Sequence, residues 1–213
     1  MPPAAELPEV LVFSEGLLSP AHGTGAIFAR NFAAYPSARL ENWFVGLSGD
    51  PLLPRTFSFN DVRWPAGNFS PPTVALAKLW NRLPAWLARR RWSVPVNRAA
   101  IAAAARTRAS RATVVYAIVY SREGLDVLSA ALAGLGRPVP VILQLQDFYP
   151  SAHLGFRRAL RRLRPHVAAV WAVSSAIARY VEPVLGRPVQ VDPLFNLALP
   201  DARKRQHRPF APG

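Results

Sequence analysis

The stretch ATVVYAIVYSREGLDVLSAALAGLGRPVPVILQL, residues 112–145, decides how the rest of the chain is read. Its opening, 112–121, is apolar almost throughout and rich in Val, Ile and Tyr, which suits a strand covered on both faces. Residues 122–136 follow at helical spacing and stop at glycine. Residues 139–145, VPVILQL, return to a strand. A strand, a helix and a strand in this order require a parallel, right-handed crossover.

The same rhythm continues on both sides. Downstream, helix GFRRALRRLR (155–164) stops at Pro165, strand VAAVWAVS (167–174) leads to helix SAIARYVEPVLG (175–186), and strand PVQVDPLF (188–195) closes the series. Upstream, strand EVLVFS (9–14) leads into GTGAIFARNF, a helix opening at its glycines; LENWFVGL (40–47) and RTFSFND (55–61) are two more strands. Residues 48–72 read mainly as loop, 73–92 as a helix interrupted by Pro84, and NRAAIAAAARTR as a short helix. The predicted fold is a Rossmann-like, doubly wound α/β domain over residues 1–196, with a mostly parallel sheet of about seven strands and helices on both faces. Residues 197–213 form a basic, Pro-containing linker or ragged end.

Composition narrows the class. In 213 residues, 51% are hydrophobic, enough for a proper core, and no apolar run has the length a bilayer crossing needs. The start, MPPAAELPEV, lacks a basic n-region, so no cleaved signal is expected. With no cysteine there is neither a disulfide nor a thiolate metal site, which fits a cytoplasmic location. His22, His153, His166 and His207 are scattered without ligand spacing, so no metal is expected. The net charge is +14, and only Lys78 and Lys204 are lysines. So much arginine is explained either by GC-rich coding or by an anionic partner.

The loop after the first strand carries Gly23, Thr24 and Gly25. In open α/β sheets ligands bind beyond the carboxyl ends of the strands, where helix N-termini aim free N–H groups at anions. A dinucleotide fingerprint fails, because Phe28 stands where the third glycine belongs and no acid ends the second strand. No phosphate-loop GxxxxGK[ST] and no GxSxG elbow occur. A tight strand-to-helix turn without a ligand is the competing explanation of the glycines.

The run VLVFSEG…SPAHGTGAIFARNF resembles the opening of two-Rossmann-domain (GT-B) glycosyltransferases, of the retaining, family 4-like kind that use nucleotide sugars. VVYAIVYSREGLDVLSAALAGLGRPVPVILQLQDFYP is similar to that family's next strand, helix and strand. VAAVWAVSSAIARYVEPVLGRPVQVDPLFN is similar to the stretch leading toward its second domain. The resemblance covers most of residues 9–196. It implies the acceptor-side, N-terminal half of such an enzyme, either a fragment or one subunit, inactive without a C-terminal donor-binding partner. It also implies a nucleotide-sugar donor bound mainly by that partner, no cofactor in this chain, and a glycan or lipid-linked acceptor. The alternative is a non-catalytic domain that binds a nucleotide or phosphorylated ligand.

On that resemblance Gly23, Thr24 and Gly25 line a groove facing the missing lobe. Asp147 leaves a strand at the same edge and is the candidate base, with an N-cap or Asx-turn as its bland role. Glu15, Tyr120, Arg122 and Ser174 also stand at strand ends and are candidate substrate contacts; N-capping is the competing role for Ser174. Two stretches concentrate cations. Trp86, Arg89, Arg90, Arg91 and Trp92 form one, and Arg157, Arg158, Arg161 and Arg162 surround a helical apolar stripe in the other. Tryptophan with arginine suits an anionic membrane surface, so contact with the inner face of the membrane is expected; a solvated helix face is the competing reading. No nucleic-acid-binding motif accompanies the charge, and nucleic acid is not the expected partner.

Overall fold

Seven segments pair into one open sheet in the computed structural model, which describes residues 7–19, 25, 28, 29, 31–46, 49–63, 96–146 and 154–191. The strands are β1 (Val10–Ser14), β2 (Leu40–Phe44), β3 (Thr56–Ser58), β4 (Val114–Val119), β5 (Val141–Leu145), β6 (Val167–Ala172) and β7 (Gln190–Val191). They stand in the order β3-β2-β1-β4-β5-β6-β7. Every pairing is parallel, so the sheet is wholly rather than mostly parallel. Four helices are described: α1 (Arg98–Arg108), α2 (Arg122–Gly134), α3 (Leu154–Leu163) and α4 (Ser175–Leu185). This is a Rossmann-like α/β fold.

Right-handed crossovers explain the two layers. From β4 onward the strands advance in one direction, so their helices fall on one face. There α1 packs on α2, α2 on α3 and α3 on α4. Ile101, Leu125, Phe156, Leu160 and Val181 from these helices share one core with Leu11, Phe13, Val115, Ala117 and Leu143 of the strands. The alternate strand residues Val10, Val12, Leu40, Tyr116 and Ile118 point to the other face, as the two-residue period demands. They pack with Leu18, Phe28 and Leu53. Phe28 belongs to a helical segment, so both faces of the sheet carry helix.

Local chemistry sets the element ends. Asn97, Ser121 and Ser174 each N-cap a helix, their side-chain oxygens accepting from Ala100, Gly124 and Ile177 amides at 3.2, 3.1 and 3.3 Å. Gly186 ends α4 in the left-handed region at φ 65°. β2 stops at Phe44, short of Leu47, because Gly46 turns at φ 113°. The side chain of Asn60 clasps that turn, accepting from Gly46 N–H and donating to its carbonyl, both at 2.8 Å. The same clasp ends β3 early, at Ser58 rather than Asp61. β4 ends at Val119 because Ser121 is committed to capping α2. Pro140 lacks an N–H for the sheet ladder, and β5 begins after it at Val141. The interrupted helix of 73–92 and the basic tail of 197–213 lie outside the described residues.

Candidate binding site at the strand tips

The sheet order reverses between β1 and β4, whose neighbours lead away in opposite directions; this is the switch point where open α/β sheets bind ligands. Register brings the two strand ends level, with Ser14 beside Ile118. A buried amide then shapes the exit from β1. Asn42 of β2 donates to Val12 carbonyl and Ser14 Oγ, each at 3.0 Å, while its Oδ1 accepts from Leu18 N–H at 3.4 Å. Ser14 in turn donates to Gly16 carbonyl at 2.6 Å. These bonds hold the turn at 15–18 against the strand tips.

That turn presents Glu15 to the start of α2. Its Oε1 accepts from Tyr120 N–H at 2.8 Å and Ser121 N–H at 2.7 Å. The Tyr120 hydroxyl donates back to Glu15 carbonyl at 2.5 Å. Gly124, in the first turn of α2, leaves the room: a Cβ there would lie 2.1 Å from Glu15 Oε1. The groove expected at the strand tips is thus filled on its α2 side by the chain's own carboxyl. Burial pushes the Glu15 carboxyl up from its ordinary range, opposed by the hydrogen bonds from Ser121 and Tyr120. Burial also raises Glu123, next along α2, although Arg63 lies 3.4 Å away and lowers it. Two carboxyls with raised proton affinity therefore flank the switch point.

Arg122, the neighbouring expected contact, turns toward the helix layer. Its Nε lies 3.3 Å from Asp126 Oδ2, and it runs so close under α3 that a Cβ on Gly155 would be 2.5 Å from that nitrogen. Asp126, only 9% exposed, also meets Arg162 at 2.6 Å and Arg98 at 3.8 Å. One acid therefore binds three helices, α1, α2 and α3, through their arginines. Of the cations expected at a membrane, Arg162 is held in this cluster and Arg157 lies over the Tyr180 ring at 4.8 Å. Arg157, Arg158, Arg161 and Arg162 are all exposed on α3, while Phe156, Ala159, Leu160 and Leu163 are buried.

Ser174 caps α4 at a different strand end from the switch point. Gly25 is buried, and a Cβ on it would lie 1.9 Å from Ser19 carbonyl; close backbone approach accounts for this glycine. Gly23, Thr24, Asp147, Trp86, Arg89, Arg90, Arg91 and Trp92 lie outside the described residues. Four polar or small residues emerge only in space: Asn42, Gly124, Asp126 and Gln146. Asn42 and Asp126 interrupt apolar runs, which is the signal that could have found them. Gln146 follows β5, its N–H donating to Val119 carbonyl at 3.3 Å. It is 5% exposed, and its Nε2 has no hydrogen-bond partner among the described residues. Among the described residues no group of His, Cys, Asp and Glu could hold a metal, and no helix is long and apolar enough to cross a membrane.

No protein-family model matches the chain, and no curated protein matches it. Among solved structures it is similar to the crystal structure of Anabaena Alr3699/HepE in complex with UDP and glucose, at 18% identity and a TM-score of 0.47. The likeness covers 94% of this chain and 50% of that one, so the chain spans half the length of its structural neighbour.

Proposed function

We propose that this domain is the acceptor-side half of a glycosyltransferase, using a nucleotide-sugar donor held mainly by a second, C-terminal lobe or subunit. The observation that carries this reading is the switch point itself. A wholly parallel sheet reverses its order between β1 and β4, and there Glu15, Tyr120, Ser121 and Glu123 converge beside a helix N-terminus. The ordered resemblance of residues 9–196 to GT-B N-terminal domains supports the same assignment. In this reading a glycan or lipid-linked acceptor enters over the strand tips, Gly23, Thr24 and Gly25 border it, and Asp147 removes the proton from its attacking hydroxyl. The exposed arginines of α3, with Arg89, Arg90 and Arg91, hold the domain against an anionic membrane surface.

Purified chain mixed with UDP- and GDP-sugars and glycan acceptors should give no transfer alone, and transfer once a donor-binding lobe is supplied. Turnover by the isolated chain removes the half-enzyme reading. Liposomes containing anionic lipid should co-sediment the chain, and changing Arg158 and Arg161 to Ala should weaken that; equal sedimentation removes the membrane reading.

A further inference from the structure

The opposite, amino-terminal edge of the sheet carries a hollow of its own. It has a volume of about 320 Å³ and is lined by Leu132, Ala133, Gly136, Arg137, Pro138 and His166. α2 runs from Arg122 to Gly134, so about 20 Å of helix separates this hollow from the turn at Glu15 and Tyr120. Backbone bonds fix its walls. His166 N–H donates to Leu163 carbonyl at 2.9 Å, and His166 carbonyl accepts from Val141 N–H at 2.8 Å, which ties the end of α3 to the entry of β5. Leu135 N–H donates to the Ala131 and Leu132 carbonyls, both at 3.2 Å, and closes α2. Gly136 then turns at φ 66°, and a Cβ placed on it would meet no atom within 4 Å. The turn therefore stands beside open space.

Two polar side chains line this hollow with bonding capacity left over. Arg137 Nη2 donates to Ser110 carbonyl at 3.2 Å and to Ala112 carbonyl, which braces the guanidinium against the entry of β4. Its Nε and Nη1 have no partner among the described residues, so three N–H donors remain on a group already held in place. The His166 imidazole makes no hydrogen bond among the described residues either. No carboxylate lines the hollow to neutralise the arginine. A cation held in advance loses little freedom when an anion arrives, so more of the interaction appears as affinity.

The surroundings narrow the class of anion. Leu132, Ala133 and Pro138 supply an apolar wall beside the one permanent charge, that of Arg137. α2 and α3 both end here, and the negative ends of two helices oppose a second negative charge on the ligand. The volume lies at the lower end of the range for ligand pockets, about 300–1,000 Å³. One negative charge on a small apolar body meets all three conditions. We propose that this hollow is a second binding site, for a small monocarboxylate with an apolar body. Arg137 takes the carboxylate, His166 bonds its other oxygen, and Leu132, Ala133 and Pro138 cover the hydrocarbon. The site is independent of the transferase reading, since none of its residues lies at the strand tips.

The test titrates the full chain with benzoate and with hexanoate, following amide NMR shifts, and compares acetate, benzyl alcohol and inorganic phosphate. Benzoate and hexanoate should shift the Ala133, Gly136, Arg137 and His166 signals and leave those of Tyr120 and Ser121 in place. Acetate lacks the apolar body, benzyl alcohol lacks the charge and phosphate carries too much of it, so each should bind at least tenfold more weakly. Arg137→Gln should lose at least tenfold in benzoate affinity. Because Arg137 also braces β4, Ala133→Glu is the second variant. It alters an exposed position of α2, sets a carboxylate inside the hollow, and should abolish benzoate binding with the parent's far-UV circular dichroism retained. No shift at the lining residues, phosphate or benzyl alcohol binding as tightly as benzoate, or unchanged benzoate binding by Ala133→Glu overturns the proposal.

Discussion

Replacing Gly124 by alanine tests the strand-tip clasp through the sign of its effect. In an ordinary helix Gly→Ala stabilises by about 0.5–1 kcal/mol, since alanine has less backbone freedom to lose. Here the new Cβ would sit 2.1 Å from Oε1, 2.3 Å from the carboxyl carbon and 2.5 Å from Cγ of Glu15. The Glu15 head must leave, and the Tyr120 and Ser121 amides lose their common acceptor. Hydrogen bonds to an ionised group contribute about 1.5–3 kcal/mol each, so two of them set a ceiling of about 3–6 kcal/mol. Rehydration of a carboxyl that burial disfavours, together with the helix-propensity gain, offsets part of this. The net loss should be about 2–3 kcal/mol, a fall of roughly 5–10 °C in melting midpoint for a chain of this size. Circular-dichroism melts of Gly124→Ala, Glu15→Ala and the double variant measure it. In the Glu15→Ala background the alanine should be neutral or stabilising, because the three atoms nearest the new Cβ all belong to the Glu15 side chain. A single Gly124→Ala variant that melts higher than the parent refutes the clasp.

The remaining predictions concern charge and burial. Burial raises the Glu15 carboxyl above its ordinary 4.5, so the folded chain holds this proton to higher pH than the unfolded one. The stability it adds is complete below 4.5 and disappears as pH rises through the folded-state value; Glu123 adds the same sign. Glu15→Gln should flatten that decline in calorimetric scans, and an unchanged pH slope contradicts the assignment. Asp126→Asn leaves Arg98, Arg122 and Arg162 facing one another; with the arginines partly exposed, the cost should be about 1–2 kcal/mol at low salt. Most of it should vanish in denaturant titrations at about 1 M NaCl, and a salt-independent loss argues against an electrostatic origin. Asn42→Leu removes the amide that ties β1 to its exit turn, at a cost of about 2–4 kcal/mol. Leu18 N–H should then exchange faster with solvent; unaltered exchange places the turn's support elsewhere.

The strand–helix alternation was legible along the chain because parallel strands covered on both faces must be apolar throughout, as in VVYAIV. Helix limits were legible for the same local reason: Ser121, Ser174 and Gly186 act within a few residues of where they stand. Strand limits were less so. Whether β2 ends at Phe44 depends on Asn60, fourteen positions downstream, clasping Gly46. The site was legible as a set of strand-end positions, Glu15 and Tyr120 among them. Their partners were not, because Glu15 meets Tyr120 and Ser121 across 105 and 106 positions. Arg122 illustrates the limit: its sequence place at a strand end suggests a phosphate grip, and its fold neighbours include Asp126 and the backbone gap left by Gly155.

By itself the order of residues determined a Rossmann-like α/β domain, its helix caps and its cationic α3 face. These follow from hydrophobic period and from short-range capping, both of which act between residues close in the chain. Tertiary structure alone decided that Glu15 fills the start of α2, that Asp126 draws three arginines together, and that Gln146 is buried with no partner for its Nε2 among the described residues. Each of those depends on which backbone groups meet across the sheet, and such meetings are set by packing and register, at separations where periodicity carries no information.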